Sequence, residues 1–126
     1  MARSIIHEKS FHFALEVIEI YRKLQAEHEY ILSRQLLRSG TSIGANVEEA
    51  IAGQSRRDFL SKMAVASKEA RETRYWLMLL QKSSLTKAEL GPTLERIDEL
   101  IRFLSSIVKT TAETPATQNS KLKIQD

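Results

Sequence analysis

The residues best placed to do chemistry lie between Gln35 and Glu49, in the stretch QLLRSGTSIGANVEE. On a helix turning 100° per residue, Gln35, Arg38, Ser42, Asn46 and Glu49 fall within about 80° of one another. They run beside an apolar stripe of Leu36, Ile43 and Val47. A guanidinium, a carboxylate, an amide and a hydroxyl on one strip suit two roles. They can satisfy one another across a helix contact, with Glu72 as a further partner for Arg38, and so fix the register of packed helices. Alternatively they can line a ligand pocket. We favour the structural network, which needs no cofactor; breaking a buried pair of this kind costs about 3–5 kcal/mol, because one charge is left unmatched.

A second set is basic. From Gln54 to Lys87 the chain carries eight Lys or Arg against three Asp or Glu, although the whole sequence has a net charge of only +3. Arg57, Lys68, Arg71 and Lys82 fall within about 60° on a helix wheel, with Tyr75 among them, and Arg74 lies nearby. Cations alternating with an aromatic suit phosphate contacts and base stacking. The plain alternative is a solvated helix face, in which Lys68 and Glu72 form an i,i+4 pair.

Other chemistry has little support. No Cys is present, which excludes disulfides, thiolate catalysis and Cys-based metal sites. His12 sits between Glu8 and Glu16 on one face, but a partly solvated charge cluster is the expected reading, not a metal site. A di-iron bundle needs two Glu-x-x-His pairs, and the sequence has none. GTSIGAN lacks the Gly-Lys-Ser/Thr ending of a phosphate-binding loop. Glu48 and Glu49 point to different faces. We therefore expect no enzyme activity, no cofactor and no metal.

The elements that must position these residues are helices. Four Gly and two Pro in 126 residues leave little turn punctuation for an all-β fold. The apolar fraction of 42% and charged fraction of 28% are those of one soluble globular domain. No apolar run nears the roughly 18 residues of a membrane span, and His7–Lys9 interrupts any signal-peptide core, so a cytoplasmic location is expected.

The first helix spans about Glu8 to Glu27. Its apolar residues form two adjoining arcs, one of Phe11, Ala14, Leu15, Ile18 and Tyr21, the other of Phe13, Val17, Ile20 and Leu24. That is wider than one buried face requires, which predicts a second contact within a wide core or with another subunit. The second helix covers about Tyr30 to Ala52, with Gly40 and Gly44 inside it where a neighbouring backbone approaches. Ser55 and Asp58 form a capping box for a third helix, about Arg56 to Lys82. Its seam is Phe59, Met63, Ala66, Ala70, Thr73, Leu77 and Leu80. Trp76 lies off that seam and is expected to bury against the first helix of this or a neighbouring subunit. A second capping box, Thr86 to Glu89, precedes a fourth helix with the seam Leu90, Leu94, Ile97, Ile101, Leu104 and Val108. Gly91-Pro92 predicts either a short turn at 87–90 before a main helix over 92–112, or a kink. Residues 1–112 thus form one bundle, and the tail 113–126 lacks apolar periodicity and is expected to be disordered. Short links give an all-α, antiparallel up-down-up-down four-helix bundle.

At this point the residues resemble a known family. Gln35, Arg38-Ser39, Ser42-Ile43, Asn46-Val47 and Glu49 fit the signature Q-x-x-R-[AS]-x-x-S-I-x-x-N-[IV]-x-E of the four helix bundle proteins. These are also called 23S rRNA intervening-sequence or S23-like proteins. Phe59-Leu60, Glu72-Thr73 and Tyr75-Trp76-Leu77 resemble its third-helix pattern. One departure is that Glu48-Glu49-Ala50 continues the helix where the family usually has Gly, and Gly arrives only at Gly53. The resemblance covers about residues 8–110. It implies a ring-shaped homo-oligomer, often of five subunits, and similarity to accessory proteins of diversity-generating retroelements, which partner nucleic acid. On that basis the expected function is a non-catalytic RNA- or DNA-binding or ribonucleoprotein accessory protein. The contact residues are expected to be Arg57, Lys68, Arg71, Arg74, Tyr75 and Lys82. The competing expectation is a protein-interaction scaffold with no nucleic-acid binding.

Overall fold

The computed structural model describes residues 2–113, with side chains from Ile5 onward. It contains four α-helices, and no strand among the described residues: α1 (Ala2–Ala26), α2 (Leu32–Ala52), α3 (Arg56–Ser83) and α4 (Gly91–Glu113). The expected tail, apart from Glu113, lies outside the described residues.

Each boundary has a local cause. α1 begins six residues earlier than expected, and the added turns bring Ile6 into the core at 0% exposure. α1 ends where His28 takes a left-handed backbone, φ 65°. α2 starts at Leu32, two residues later than expected, because the Glu29 carboxylate accepts the backbone N–H groups of Ile31, Leu32 and Ser33. A negative charge on those open donors satisfies them and complements the helix dipole. α3 is capped as expected, with the Ser55 hydroxyl accepting from the Asp58 N–H at 3.1 Å. The second capping box does not start a helix. Thr86 instead accepts from the N–H of Ala88 in a local turn, and the Glu27 carboxylate accepts from the Thr86 hydroxyl and the Lys87 N–H. α4 begins at Gly91, so Pro92 occupies the first turn, where its missing N–H costs nothing.

Extensive packing joins α1 to α2, α2 to α3 and α3 to α4, with a sparser contact between α1 and α4. Cross-helix bonds give the order: His7 meets Glu48 and Ser33 meets Gln25, Arg38 meets Glu72, and Arg74 meets Asp98 while Arg71 meets Ser105. The α3 seam is buried at every expected position. In α1 the core takes the arc Phe13, Val17, Ile20 and Leu24, whereas Phe11 and Leu15 stay 59% and 47% exposed. In α4 the expected seam is only partly right. Leu90, Ile97 and Leu104 are buried, but Thr93, Leu100 and Thr111 complete the buried row, and Leu94, Ile101 and Val108 lie half-buried on its flank. The reason is Thr93: its hydroxyl donates to Glu16 of α1, which turns that face of α4 inward. Trp76 is half-buried, packs on the edge of the core and donates Nε1–H to Glu72 on its own helix at 3.0 Å.

A candidate nucleic-acid interface and the polar contacts behind it

Two members of the α2 stripe, Arg38 and Glu49, reach α3, as separate pairs and not as one network. Arg38 bonds both Glu72 and Glu69. Asn46 donates to the carbonyl and hydroxyl oxygens of Ser42 on its own helix. Glu49 pairs with Lys62 at 2.8 Å. Gln35 is exposed. The group that is buried is one the stripe omits. Ser39 and Thr73, both 0% exposed, bond each other at 2.9 Å. Two consecutive residues of α2, Arg38-Ser39, thus meet two consecutive residues of α3, Glu72-Thr73, one pair at the surface and one in the core.

The location of the ion pair changes its expected worth. Arg38 is 51% exposed and Glu72 35%. Such a pair contributes about 1 kcal/mol or less, not the several kcal/mol of a buried one. Its electrostatic mark is still plain: the Arg38 hydrogen bond, aided by Trp76, holds the Glu72 carboxyl below its ordinary value, and Glu72 in turn raises Arg38. Glu16 behaves alike. Burial pushes its carboxyl up, but hydrogen bonds from Arg96 and Thr93 and the Arg96 charge bring it below the ordinary value. Both carboxyls titrate lower in the folded chain than the roughly 4.3 of an unfolded glutamate. Their stabilisation is therefore complete above that value and is lost as pH falls through the folded values. We expect the melting temperature to decline as pH drops from about 5 to 3, and to decline less steeply in Arg38→Gln/Arg96→Gln. Parallel declines in the two proteins would show that these pairs do not carry the acid sensitivity.

Arg96 grips Glu16 through two bonds, at 2.5 and 2.6 Å, so the carboxylate that shares a face with Glu8 and His12 is engaged by α4. No group of three or more metal-ligating side chains occurs among the described residues. The Glu16 side of α1 does line an open cleft of about 420 Å³ toward α4, with Phe13 and Leu100 in its wall and Lys9–Glu99 across it.

The basic stripe lies on the outer face of α3. Arg57, Lys68, Arg71 and Lys82 are all exposed, and Tyr75 is 57% exposed. Arg57 and Lys82 form no salt bridge among the described residues. Arg71 donates to the Ser105 hydroxyl at 3.3 Å, and Tyr75 packs edge-on against Trp76 with ring centroids 5.2 Å apart. Arg74 does not share this face. It turns toward α4 and pairs with Asp98 at 2.7 Å. What the face can do is present a row of exposed cations, held by a well-packed helix, to a polyanion.

Comparison with known proteins bears on this arrangement. A family model described as 23S rRNA-intervening sequence protein matches residues 2–106. A crystal structure of a protein with unknown function from the S23 ribosomal protein family of Bacteroides thetaiotaomicron is similar to this chain, with 41% identity and a TM-score of 0.82. That likeness covers 87% of this chain and 100% of the other. A comparison with curated proteins gives no match. No helix among the described residues is long and apolar enough to cross a membrane.

Proposed function

The chain belongs to the 23S rRNA-intervening sequence protein family, and we propose from that premise that it is a non-catalytic, cytoplasmic accessory protein that binds nucleic acid, RNA foremost. In this reading its helices form an antiparallel up-down-up-down bundle, and copies of the bundle close into a ring, five by the family resemblance. The observation that carries the reading is the outer face of α3. Four exposed cations there share one strip with an exposed tyrosine, and their acidic neighbours Glu69 and Glu72 are engaged by Arg38 on the α2 side. Repetition of a weak basic strip around a ring raises its effective affinity without any new contact.

A second reading has its own observation. Phe11 and Leu15 stand exposed one turn apart on α1, as in a face that awaits a protein. A scaffold would use this face for self-assembly alone and leave the cations to solvent.

One experiment separates the two. Purified protein is titrated against structured RNA and duplex DNA at several salt concentrations, with its mass in solution measured by light scattering. Tight binding that falls steeply with salt, weakened at least about tenfold in Arg71→Glu/Lys82→Glu, supports the nucleic-acid reading. No binding at low salt removes it and leaves the scaffold, while a monomeric mass removes the ring.

A further inference from the structure

Resting on the nucleic-acid reading, we propose that the phosphate-contacting surface crosses from α3 onto α4, with Arg102 and Lys109 as its second row, and that it grips a duplex through backbone phosphates. The join is the Arg71–Ser105 hydrogen bond, 3.3 Å between the outer faces of the two helices. Arg102 and Lys109 lie three residues before and four after Ser105, so all three share one face of α4. Arg74 meets Asp98 and Arg71 meets Ser105. The numbering of α4 therefore rises as that of α3 falls, which brings Lys109 alongside the Lys68 turn.

Lys68, Arg71, Arg102 and Lys109 are all exposed. The nearby carboxylates each hold another cation, Asp98 pairing with Arg74, Glu69 and Glu72 with Arg38, and Glu99 with Lys9. Glu72 nevertheless also feels the Lys68 charge, Asp98 and Glu99 line one open cleft with Arg102, and Glu113 follows Lys109 by one turn. Glu95 is two turns from Arg102. Packed helix axes lie roughly 8–10 Å apart, and seven residues of helix rise about 10 Å. Lys68 and Arg71 on α3 and Arg102 and Lys109 on α4 thus form one patch across the two helices, bordered by Glu72 beside Lys68 and by Asp98 and Glu99 beside Arg102.

The chemistry of that patch selects the form of nucleic acid. Single strands are held by successive aromatics on which bases stack. Beside the patch Tyr75 is exposed, but its ring is already packed against Trp76. A surface that offers only charge gains most from the densest charge, and a duplex carries one phosphate per ~1.7 Å of axis against ~3.4 Å for one strand.

The test is a fluorescence anisotropy titration over a salt series. Its probes are a 20-base-pair RNA duplex, the DNA duplex of the same sequence and the RNA single strand. The proteins are the full chain, Arg102→Ala/Lys109→Ala, and Arg57→Ala/Lys68→Ala as the α3 counterpart. Every substituted residue is exposed, and circular dichroism verifies the fold. We expect a duplex to bind more tightly than the single strand, and the RNA and DNA arms to identify which duplex. In the α4 variant the slope of log K against log salt should shrink by about 1.8, roughly an eightfold loss per contact at 0.1 M salt. If the α4 variant binds like the unaltered chain while the α3 variant is weakened, the second row is refuted and the α3 reading survives. A preference for the single strand refutes the duplex. If the unaltered chain binds no probe at low salt, the reading beneath this inference falls with it.

Discussion

Gly40→Leu is expected to destabilise the chain by at least about 3 kcal/mol, the upper end of overpacking in a filled core. A Cβ placed on Gly40 would sit 2.8 Å from both terminal methyl carbons of Val17 and 3.2 Å from its Cβ. Val17 is 0% exposed and belongs to the central row of α1. Its branched side chain has one favoured rotamer in a helix, so it cannot swing aside as a longer chain could. Gly40→Ala gains roughly 1 kcal/mol of helix propensity, which offsets only part of the same clash. Trimming the obstacle should reverse the effect: Val17→Ala removes the methyl groups that the new Cβ meets. Denaturant midpoints of Gly40→Ala, Val17→Ala and the double variant give the test. We expect the double variant to be clearly more stable than the sum of the two losses implies, since the residues touch. Strict additivity would mean that α1 and α2 can move apart, and that Gly40 does not set their separation.

Glycine at 40 shows what the sequence could and could not convey. Its place inside a helix predicts the close approach of a neighbouring backbone, but what meets it is the Val17 side chain; the backbone approach is at Gly44, where a Cβ would lie 3.3 Å from the Ser10 carbonyl oxygen. The α3 seam was legible because its +4, +3 spacing is unambiguous, and every residue of it is buried. α1 was not, because both of its arcs are apolar enough to be core. The choice between Phe13–Leu24 and Phe11–Tyr21 is made by which side α2 and α4 occupy. The α4 seam failed for a related reason. Leucines at 94 and 100 are equivalent by type, and the Thr93–Glu16 bond to α1 is a tertiary fact. The start of α2 escaped because Glu29 caps from two residues before Ile31, outside the usual Ser/Thr/Asp/Asn pattern. The basic stripe was readable as a wheel, except for Arg74, whose partner Asp98 lies on another helix.

The polar stripe gives the second large effect, and it comes from the residue beside the stripe. Thr73→Val is expected to cost about 1–3 kcal/mol, the penalty for leaving a buried polar group without its partner. The Thr73 hydroxyl lies 2.9 Å from the Ser39 hydroxyl and 2.8 Å from the carbonyl of Glu69. It has one proton, so it gives that proton to one of these oxygens. If the carbonyl takes it, the proton shared between the two hydroxyls comes from Ser39. Valine keeps the branched shape but neither gives nor receives, and Ser39 is left facing methyl groups in a contact closed to solvent. Ser39→Ala alone should cost less, because Thr73 keeps its carbonyl. Combining the two should recover stability relative to Thr73→Val, since no unpaired hydroxyl remains and both positions are then apolar. Urea unfolding of the three variants reads this directly. A double variant weaker than Thr73→Val would show that the hydroxyls do not depend on each other, and the register of α2 on α3 would then rest on the apolar seam. The predicted recovery would instead give the adjacent pairs separate tasks. Ser39–Thr73 would hold register from inside, while Arg38 holds Glu69 and Glu72 from the α2 side at the surface.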